Sequence, residues 1–146
     1  GTFVLFTSYR QLDAVYQQVR PSLDAANKFV LKHGDGMGRS QMLDLFKRIG
    51  NAVLFGTSSF WEGVDVQGDA LRNVIITKLP FEVPNHPLVE ARHREIQRLG
   101  GNPFMDFQLP EAVLKFKQGV GRLIRTKTDR GIVVILDPRV GSKPYG

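Results

Sequence analysis

Short apolar runs alternate with amphipathic segments along this chain of 146 residues. The runs at 3–6, 52–55 and 132–136 are apolar throughout rather than at every second position, which is typical of strands buried on both faces. Buried strands that alternate with helices predict an α/β fold, in which a mainly parallel sheet lies between two layers of helices. The length suits one hydrophobic core, so we expect a single domain over residues 1–146.

Capping residues and helix-breaking residues indicate where the predicted strands and helices begin and end. We predict strands at 3–8, 29–32, 52–55, 71–79 and 131–136. We predict helices at 9–19, which Ser8 caps and Pro21 stops, at 40–49, which Ser40 caps, at 87–99 and at 110–124. In parallel sheets the functional loops follow the carboxyl ends of the strands, which is where Thr7, Ser8, the loop 56–69 and Lys78 fall.

The last predicted helix carries Gln118, Arg122 and Arg125 at positions i, i+4 and i+7, so they share one face. An apolar stripe of Val113, Phe116, Val120, Leu123 and Ile124 is expected on the other face. Two glycines within such a helix each cost about 1 kcal/mol relative to alanine, which indicates that something approaches the backbone closely. The pattern has two interpretations: an arginine face for phosphate groups, or ordinary cations near a helix C-terminus.

Charge and composition narrow the possible functions. The formal net charge is +6, and segment 110–130 alone holds six cations against two carboxylates, which favours polyanionic partners. The chain has no cysteine, which excludes disulfides, iron–sulfur clusters and cysteine-based zinc sites within it. The sequence contains no apolar run of membrane-spanning length, so no membrane partner is expected. A chain without cysteine also suits a reducing compartment, so we expect a cytoplasmic protein.

Three segments together resemble motifs of the DinG/XPD-like group of superfamily 2 DNA helicases. Residues 5–9 (LFTSY) are similar to motif IV of that group, residues 56–66 (GTSSFWEGVDV) to motif V, and residues 118–125 (QGVGRLIR) to motif VI. Residues 78–81 (KLPF) and 135–139 (ILDPR) are also similar to this group. The resemblance covers nearly the whole chain and implies a RecA-like three-layer α/β/α fold, namely the second lobe of a two-lobed motor.

The resemblance also implies a nucleotide site shared with a first lobe of the same polypeptide. Arg125 and Arg122 would be the arginine fingers that neutralise the transferring phosphoryl group of ATP. Gln118 would orient the γ-phosphate region, and Gly121 would allow its close approach. Residues Glu62, Gly63 and Asp65 would face the nucleotide. The sequence has no phosphate loop, so ATP and Mg²⁺ would be held mainly by the first lobe, the chain would ligate no metal, and the fragment alone would be inactive.

Single-stranded DNA is the second partner that the resemblance implies. Hydroxyl and backbone donors to DNA phosphates would come from Thr7, Ser8, Thr57 and Ser59. Tyr9 and Trp61 would stack on bases, although Trp61 could equally belong to the core. The group's activity implies 5′-to-3′ translocation and unwinding, with DNA repair as the setting.

Three other readings remain. A non-catalytic nucleic-acid-binding module with a degenerate motor fold is the main alternative. A dinucleotide-binding Rossmann enzyme is less consistent, because the first strand is not followed by a Gly-x-Gly-x-x-Gly turn. A zinc site on His86, Glu90 and His93 is also less consistent, because Pro87 separates His86 from the helix.

Overall fold

The computed structural model describes residues 1–60, 66, 70–82, 86–121 and 130–146. The strands are β1 (Thr2–Leu5), β2 (Phe29–Lys32), β3 (Ala52–Gly56), β4 (Asn73–Ile76) and β5 (Ile132–Ile135). The α-helices are α1 (Tyr9–Ala25), α2 (Arg39–Ile49), α3 (Pro87–Arg98), α4 (Leu109–Val120) and α5 (Arg139–Ser142). A 3₁₀ turn at Ser58–Phe60 follows β3, and a π-helical turn at Phe104–Gln108 precedes α4.

The five strands form one sheet in the order β2-β3-β1-β4-β5, and every pairing is parallel. In the central register Thr2 of β1 lies opposite Val53 of β3 and Asn73 of β4. All five predicted strands are present, and the predicted parallel α/β sheet is confirmed. Since the strands are parallel, their carboxyl ends all meet at one edge of the sheet, which we call the carboxyl edge.

Alternate residues of the strands feed two separate apolar cores. On one face, Phe3 and Leu5 pack with Met42 and Phe46 of α2 in what we call the α2-side core. On the other face lies the α1-side core, against which α1 packs; it is made of Val4, Phe6, Leu12, Val53 and Phe55. Helices therefore cover both faces of the sheet, as the three-layer prediction requires.

Helix α1 is longer than the sequence predicts. Pro21 was expected to end it, yet the helix continues through Pro21 to Ala25. A proline inside a helix removes one backbone hydrogen bond and crowds the carbonyl group four residues earlier. Val19 before Pro21 and Leu23 after it both pack against the α1-side core, and this burial offsets the cost.

Helix α2 begins differently from the prediction, although it ends at Ile49 as expected. The residue before its first turn is Gly38, and no side chain caps the helix. Ser40 lies within the helix, so its predicted role as the cap is wrong. Ser8, by contrast, caps α1 as predicted: its hydroxyl oxygen accepts a hydrogen bond from the Gln11 backbone N–H at 3.3 Å.

Helix α4 buries a stripe that differs from the predicted one at Val113, and the predicted stripe residues Leu123 and Ile124 lie outside the described residues. Phe116 and Val120 pack against the α2-side core as expected, but Val113 is exposed. The buried positions are instead Ala112 and Gly119, which places Phe116 at the centre of an i, i+4, i+7 face. The prediction for Val113 is wrong because the buried face of α4 passes through its neighbour Ala112, which leaves Val113 on the exposed side of the helix.

Candidate nucleic-acid and nucleotide site

The carboxyl edge gathers polar residues from every strand of the sheet. Thr7 and Ser8 follow β1, His33 follows β2, and Thr57 follows β3. Lys78, exposed, follows β4. The connection that leaves β1 runs towards β2, whereas the connections that leave β3 and β4 run towards the β5 side, so the order of the strands reverses direction beside β1. Crevices at such positions are where open α/β sheets bind their ligands.

Thr7 and Ser8 form the exposed connection between β1 and α1. Ser8 has extended backbone angles (φ −150°, ψ 149°), as expected of a residue that precedes a helix. Its hydroxyl oxygen accepts from the Gln11 N–H, while the hydroxyl hydrogen can still be donated outward. Both residues therefore offer donors to an anion at this edge.

Tyr9, the first residue of α1, presents an aromatic ring to solvent and is 49% exposed. One side of its ring packs on the backbone of Gly34, where an added Cβ would lie 3.4 Å from the Tyr9 Cε1 atom. Gly34 has φ +102°, a conformation that side-chain-bearing residues rarely adopt. Gly34 therefore supports the ring from one side and leaves much of it open.

His33 is a residue of this site that the sequence analysis missed. The Tyr9 hydroxyl oxygen lies 3.1 Å from each of its ring nitrogens, and its Nδ1 lies 2.7 Å from the Thr57 Oγ1 atom. Burial, together with the nearby Arg39 cation, lowers the pKa of His33 and favours the neutral imidazole. The available signal was its position, since His33 directly follows a strand, as Thr7 and Thr57 do.

Thr57 and Ser59 lie deeper than a simple surface track would place them. Thr57 is only 3% exposed, and its hydroxyl is bound to His33. Ser59 is half-buried, and its Oγ has no hydrogen-bond partner within the described part of the chain. The ring of Phe60 folds back over Gly56 so closely that a Cβ there would lie 2.8 Å from it. Trp61, the other predicted stacking residue, lies outside the described residues.

Of the residues predicted to contact the nucleotide, the structure describes Gln118 and Gly121. Gln118, in the last turn of α4, is half-buried, and its Oε1 atom has no hydrogen-bond partner among residues 1–60, 66, 70–82, 86–121 and 130–146. Gly121 follows the helix, and its N–H donates to the Lys117 carbonyl at 2.8 Å. The predicted residues Arg122, Arg125, Glu62, Gly63 and Asp65 lie outside the described residues.

A second cluster occupies the β4–β5 side of the carboxyl edge, which we call the Asp137 clasp: Asp137, Arg139, Leu79, Phe81, Phe104 and Tyr145. The Asp137 carboxylate accepts from the Leu79 N–H at 2.9 Å, from the Arg139 N–H at 3.0 Å and from Arg139 Nε at 2.9 Å. The Arg139 guanidinium lies 5.0 Å from the centre of the Phe81 ring. Phe104 and Tyr145 pack around that ring.

The clasp strongly lowers the pKa of the Asp137 carboxyl group. Hydrogen bonds from the Arg139 side chain hold the pKa of Asp137 far below its usual range, and backbone N–H groups of Leu79 and Arg139 add to the effect. The carboxylate is therefore charged at neutral pH although the residue is only 6% exposed. Sequence analysis interpreted Asp137 as a strand end, and it missed this link between the loops after β4 and β5.

The described residues contain neither a candidate metal site nor a candidate membrane span. No group of three His, Asp or Glu side chains in that part of the chain could hold a metal ion, including the trio of His86, Glu90 and His93. Glu90 instead pairs with Arg94 at 3.1 Å. None of the described helices has both the length and the apolar character needed to cross a membrane.

A parallel three-layer α/β lobe with a polar carboxyl edge is what a RecA-like motor lobe requires. The chain belongs to the helicase C-terminal domain family, whose model matches residues 1–146. The resemblance to the DinG/XPD-like helicases is thereby confirmed, as is the fold that it implied.

Relatives and solved structures agree with this family. The chain is 48% identical over 144 residues to the ATP-dependent DNA helicase YoaA of Escherichia coli (strain K12), a match that covers 99% of this chain and 22% of that protein. It is 43% identical over 144 residues to the 3′-5′ exonuclease DinG of Bacillus subtilis (strain 168), which covers 98% of this chain and 16% of that protein. The chain thus spans about a fifth of the length of these curated relatives.

The structural neighbours are XPD helicases. A solved apo structure of XPD superposes with a TM-score of 0.73 at 23% identity, covering 99% of this chain and 30% of that one. At that level of identity the likeness establishes the fold. A second XPD helicase structure gives a TM-score of 0.69 at 25% identity, covering 99% of this chain and 26% of that one.

Proposed function

We propose that this chain is the second motor lobe of an ATP-dependent DNA helicase and that its carboxyl edge carries part of the track for single-stranded DNA. The observation that carries the proposal is the convergence of Thr7, Ser8 and Tyr9 with His33 and Thr57 at one end of the sheet. Hydroxyl groups with an exposed ring beside them suit a strand that is held by its phosphates and stacked through its bases.

The members of the track act in two ways. Thr7 and Ser8 are exposed and donate to phosphates directly. Thr57 is buried and bound to His33, so it contributes by fixing the base of the track rather than by a direct contact. Ser59, whose hydroxyl has no partner within the described residues, and Trp61 complete the proposed set.

ATP is proposed to bind against α4, between this lobe and a first lobe. The Gln118 side-chain oxygen, buried without a partner in the described part of the chain, supports this role, because such an atom is costly unless a partner arrives. Arg122 and Arg125 would supply the fingers, Gly121 would let the phosphates approach, and Glu62, Gly63 and Asp65 would face the nucleotide. Mg²⁺ would be held by the first lobe.

Hydrolysis would alternate the two lobes between closed and open arrangements and so move the protein along one strand in the 5′-to-3′ direction. The relative named as an ATP-dependent DNA helicase supports DNA and ATP as the ligands of this chain. In a bacterial cell such a protein would act in the cytoplasm or nucleoid, and repair is the setting we propose.

The test of the finger assignment is ATP turnover by a two-lobed protein that carries this chain, measured with and without single-stranded DNA. Arg125→Ala should lower turnover at least about 10³-fold, because a finger stabilises charge that develops in the transition state. The KM for ATP should change little. Arg48→Ala, at an exposed position at the end of α2, is the matched control and should behave as wild type.

The outcomes distinguish a catalytic motor lobe from a non-catalytic DNA-binding module. Turnover that depends on DNA and disappears in Arg125→Ala supports a motor lobe with its finger on this chain. Near-normal turnover in the variant would remove Arg125 from the reaction. A wild-type protein that binds DNA but never hydrolyses ATP would establish the non-catalytic binding module instead.

A further inference from the structure

His33 joins two residues of the proposed DNA track that are far apart in sequence. Its imidazole contacts the hydroxyl of Tyr9, which begins α1, and the hydroxyl of Thr57, which follows β3. Its backbone N–H donates to the Phe55 carbonyl at 2.9 Å, which continues the pairing of β2 with β3 by one residue. The edge of the Phe60 ring meets the imidazole with 4.9 Å between ring centres. His33 is therefore fixed through both its backbone and its ring.

Tyr9, by contrast, is half-exposed, and its ring centre lies 5.1 Å from that of His33. Gly34 supports one side of its ring, and the contact with His33 anchors the hydroxyl. Rotation about the side-chain bonds would swing a tyrosine without that anchor away from the sheet edge, and an ordered platform costs a ligand less to bind.

We propose that His33 is a positioning residue for single-stranded DNA: it ties the Tyr9 hydroxyl to the Thr57 hydroxyl and so holds the Tyr9 ring where a nucleobase stacks. The inference rests on the proposed function, because it concerns the same DNA track. His33 acts through Tyr9 and makes no contact of its own with the reacting atoms of ATP.

The chemistry of the imidazole suits this task. A neutral histidine has one N–H donor and one nitrogen acceptor, while each hydroxyl can either donate or accept. Both hydroxyl partners are therefore satisfied with either ring nitrogen protonated. The lowered pKa of His33 agrees with a neutral ring at neutral pH.

The experiment is DNA-stimulated ATP hydrolysis by the two-lobed protein, with oligothymidine as the probe. It measures separately the DNA concentration for half-maximal stimulation and the turnover at saturating DNA. The variants are His33→Ala, His33→Gln, Tyr9→Phe and the double variant His33→Ala/Tyr9→Phe. His86→Ala is the matched histidine control, since His86 is exposed and its side chain does not cap α3.

His33→Ala should raise the half-maximal DNA concentration about fivefold, as expected for the loss of one neutral hydrogen bond, with turnover at saturating DNA unchanged. His33→Gln should return it to within about twofold of wild type, because an amide also donates and accepts. The double variant should be no worse than His33→Ala alone, because both changes break the same link. His86→Ala should match wild type.

Three results would overturn the role of His33 while the proposed function stands. They are a wild-type DNA requirement in His33→Ala, additive effects in the double variant, and an equal loss of turnover in His33→Ala and His33→Gln. A wild-type protein whose ATP hydrolysis ignores DNA would instead remove the proposed function, and the His33 role with it.

Discussion

The two halves of the carboxyl edge are built from different interactions. On the β1–β2–β3 half, Tyr9, His33 and Thr57 are linked by neutral hydrogen bonds, and an aromatic ring remains open to solvent. On the β4–β5 half, the Asp137 clasp pairs a buried carboxylate with a partly exposed arginine, through several hydrogen bonds and next to a group of aromatic rings. The first half has groups to spare for a ligand, whereas the second uses its groups internally.

This difference separates binding from stability within one sheet edge. The clasp links the loop after β4 to the end of β5, so its interactions should stabilise the folded lobe. The Tyr9–His33–Thr57 half leaves about half of Tyr9 exposed and should contribute less to folding and more to DNA affinity. Mutations in the clasp should therefore mainly lower the free energy of unfolding, whereas mutations in the Tyr9–His33–Thr57 half should mainly weaken DNA binding.

The largest effect on stability is expected for Asp137→Ala. The change leaves the Leu79 N–H and the Arg139 guanidinium without their acceptor. Loss of one partner of a fully buried pair costs about 3–5 kcal/mol, and since the Arg139 side chain is 38% exposed we expect roughly 2–3 kcal/mol here. Urea denaturation of the chain measures the free energy of unfolding.

The matched control for Asp137→Ala is Glu95→Ala. Glu95 also accepts two hydrogen bonds from one arginine, Arg98, but both residues are exposed on α3. Its loss should change stability by less than about 0.5 kcal/mol. Equal effects of the two changes would mean that burial gives the clasp no special importance.

The next effect in size is on DNA affinity. Tyr9→Ala removes the proposed stacking platform, and since stacking on an aromatic ring is worth about 1–3 kcal/mol per base, single-stranded DNA binding should weaken roughly tenfold. The free energy of unfolding should change little, since the ring is half-exposed. Fluorescence anisotropy of labelled oligothymidine at low salt gives the affinity.

Phe29→Ala is the control for aromatic loss. Phe29 is 45% exposed, close to the 49% of Tyr9, but it begins β2 at the opposite edge of the sheet. Its removal should leave DNA affinity unaltered. Similar losses of affinity in both variants would show that exposed aromatic area, rather than the carboxyl edge, governs binding.

The smallest effect is a pH dependence of stability. Because burial lowers the pKa of His33 from 6.5, the unfolded chain takes up this proton more readily than the folded chain. The His33 contribution to stability is therefore complete above about pH 6.5 and is lost as the pH falls through the folded pKa. His33→Gln should reduce this slope relative to wild type in urea titrations, and an unchanged slope would contradict a buried neutral imidazole.

The fold could be predicted from the sequence because its signals are local. Apolar runs such as 3–6 and 52–55 became β1 and β3, and Ser8 capped α1 as expected. Errors arose where packing outweighed a local rule: Leu23 packs against the core beyond Pro21, and Ala112 rather than Val113 is buried on α4. The π-helical turn at Phe104–Gln108 had no local signal that we recognised.

The site was less predictable because its parts are joined only in three dimensions. Thr7, Ser8 and Tyr9 were found from one contiguous motif. His33 was missed because its partners lie 24 residues before and 24 residues after it. Asp137 was missed as a clasp for the same reason, since its Leu79 partner is 58 residues away. The spacing of residues within one motif indicates neither the His33 contacts nor the hydrogen bond between Asp137 and Leu79.

The most direct test of the account is to locate bound DNA on the lobe. The chain lacks cysteine, so single thiols can be introduced as Thr7→Cys, within the proposed track, and Ser22→Cys, in the last turns of α1. These positions are separated by roughly 20 Å of helix. Oligothymidine with an activated disulfide on a short phosphate tether should crosslink to the Thr7→Cys chain, and the Ser22→Cys chain should remain unmodified. Equal crosslinking of the two chains, or preference for Ser22→Cys, would contradict a DNA track at the carboxyl edge.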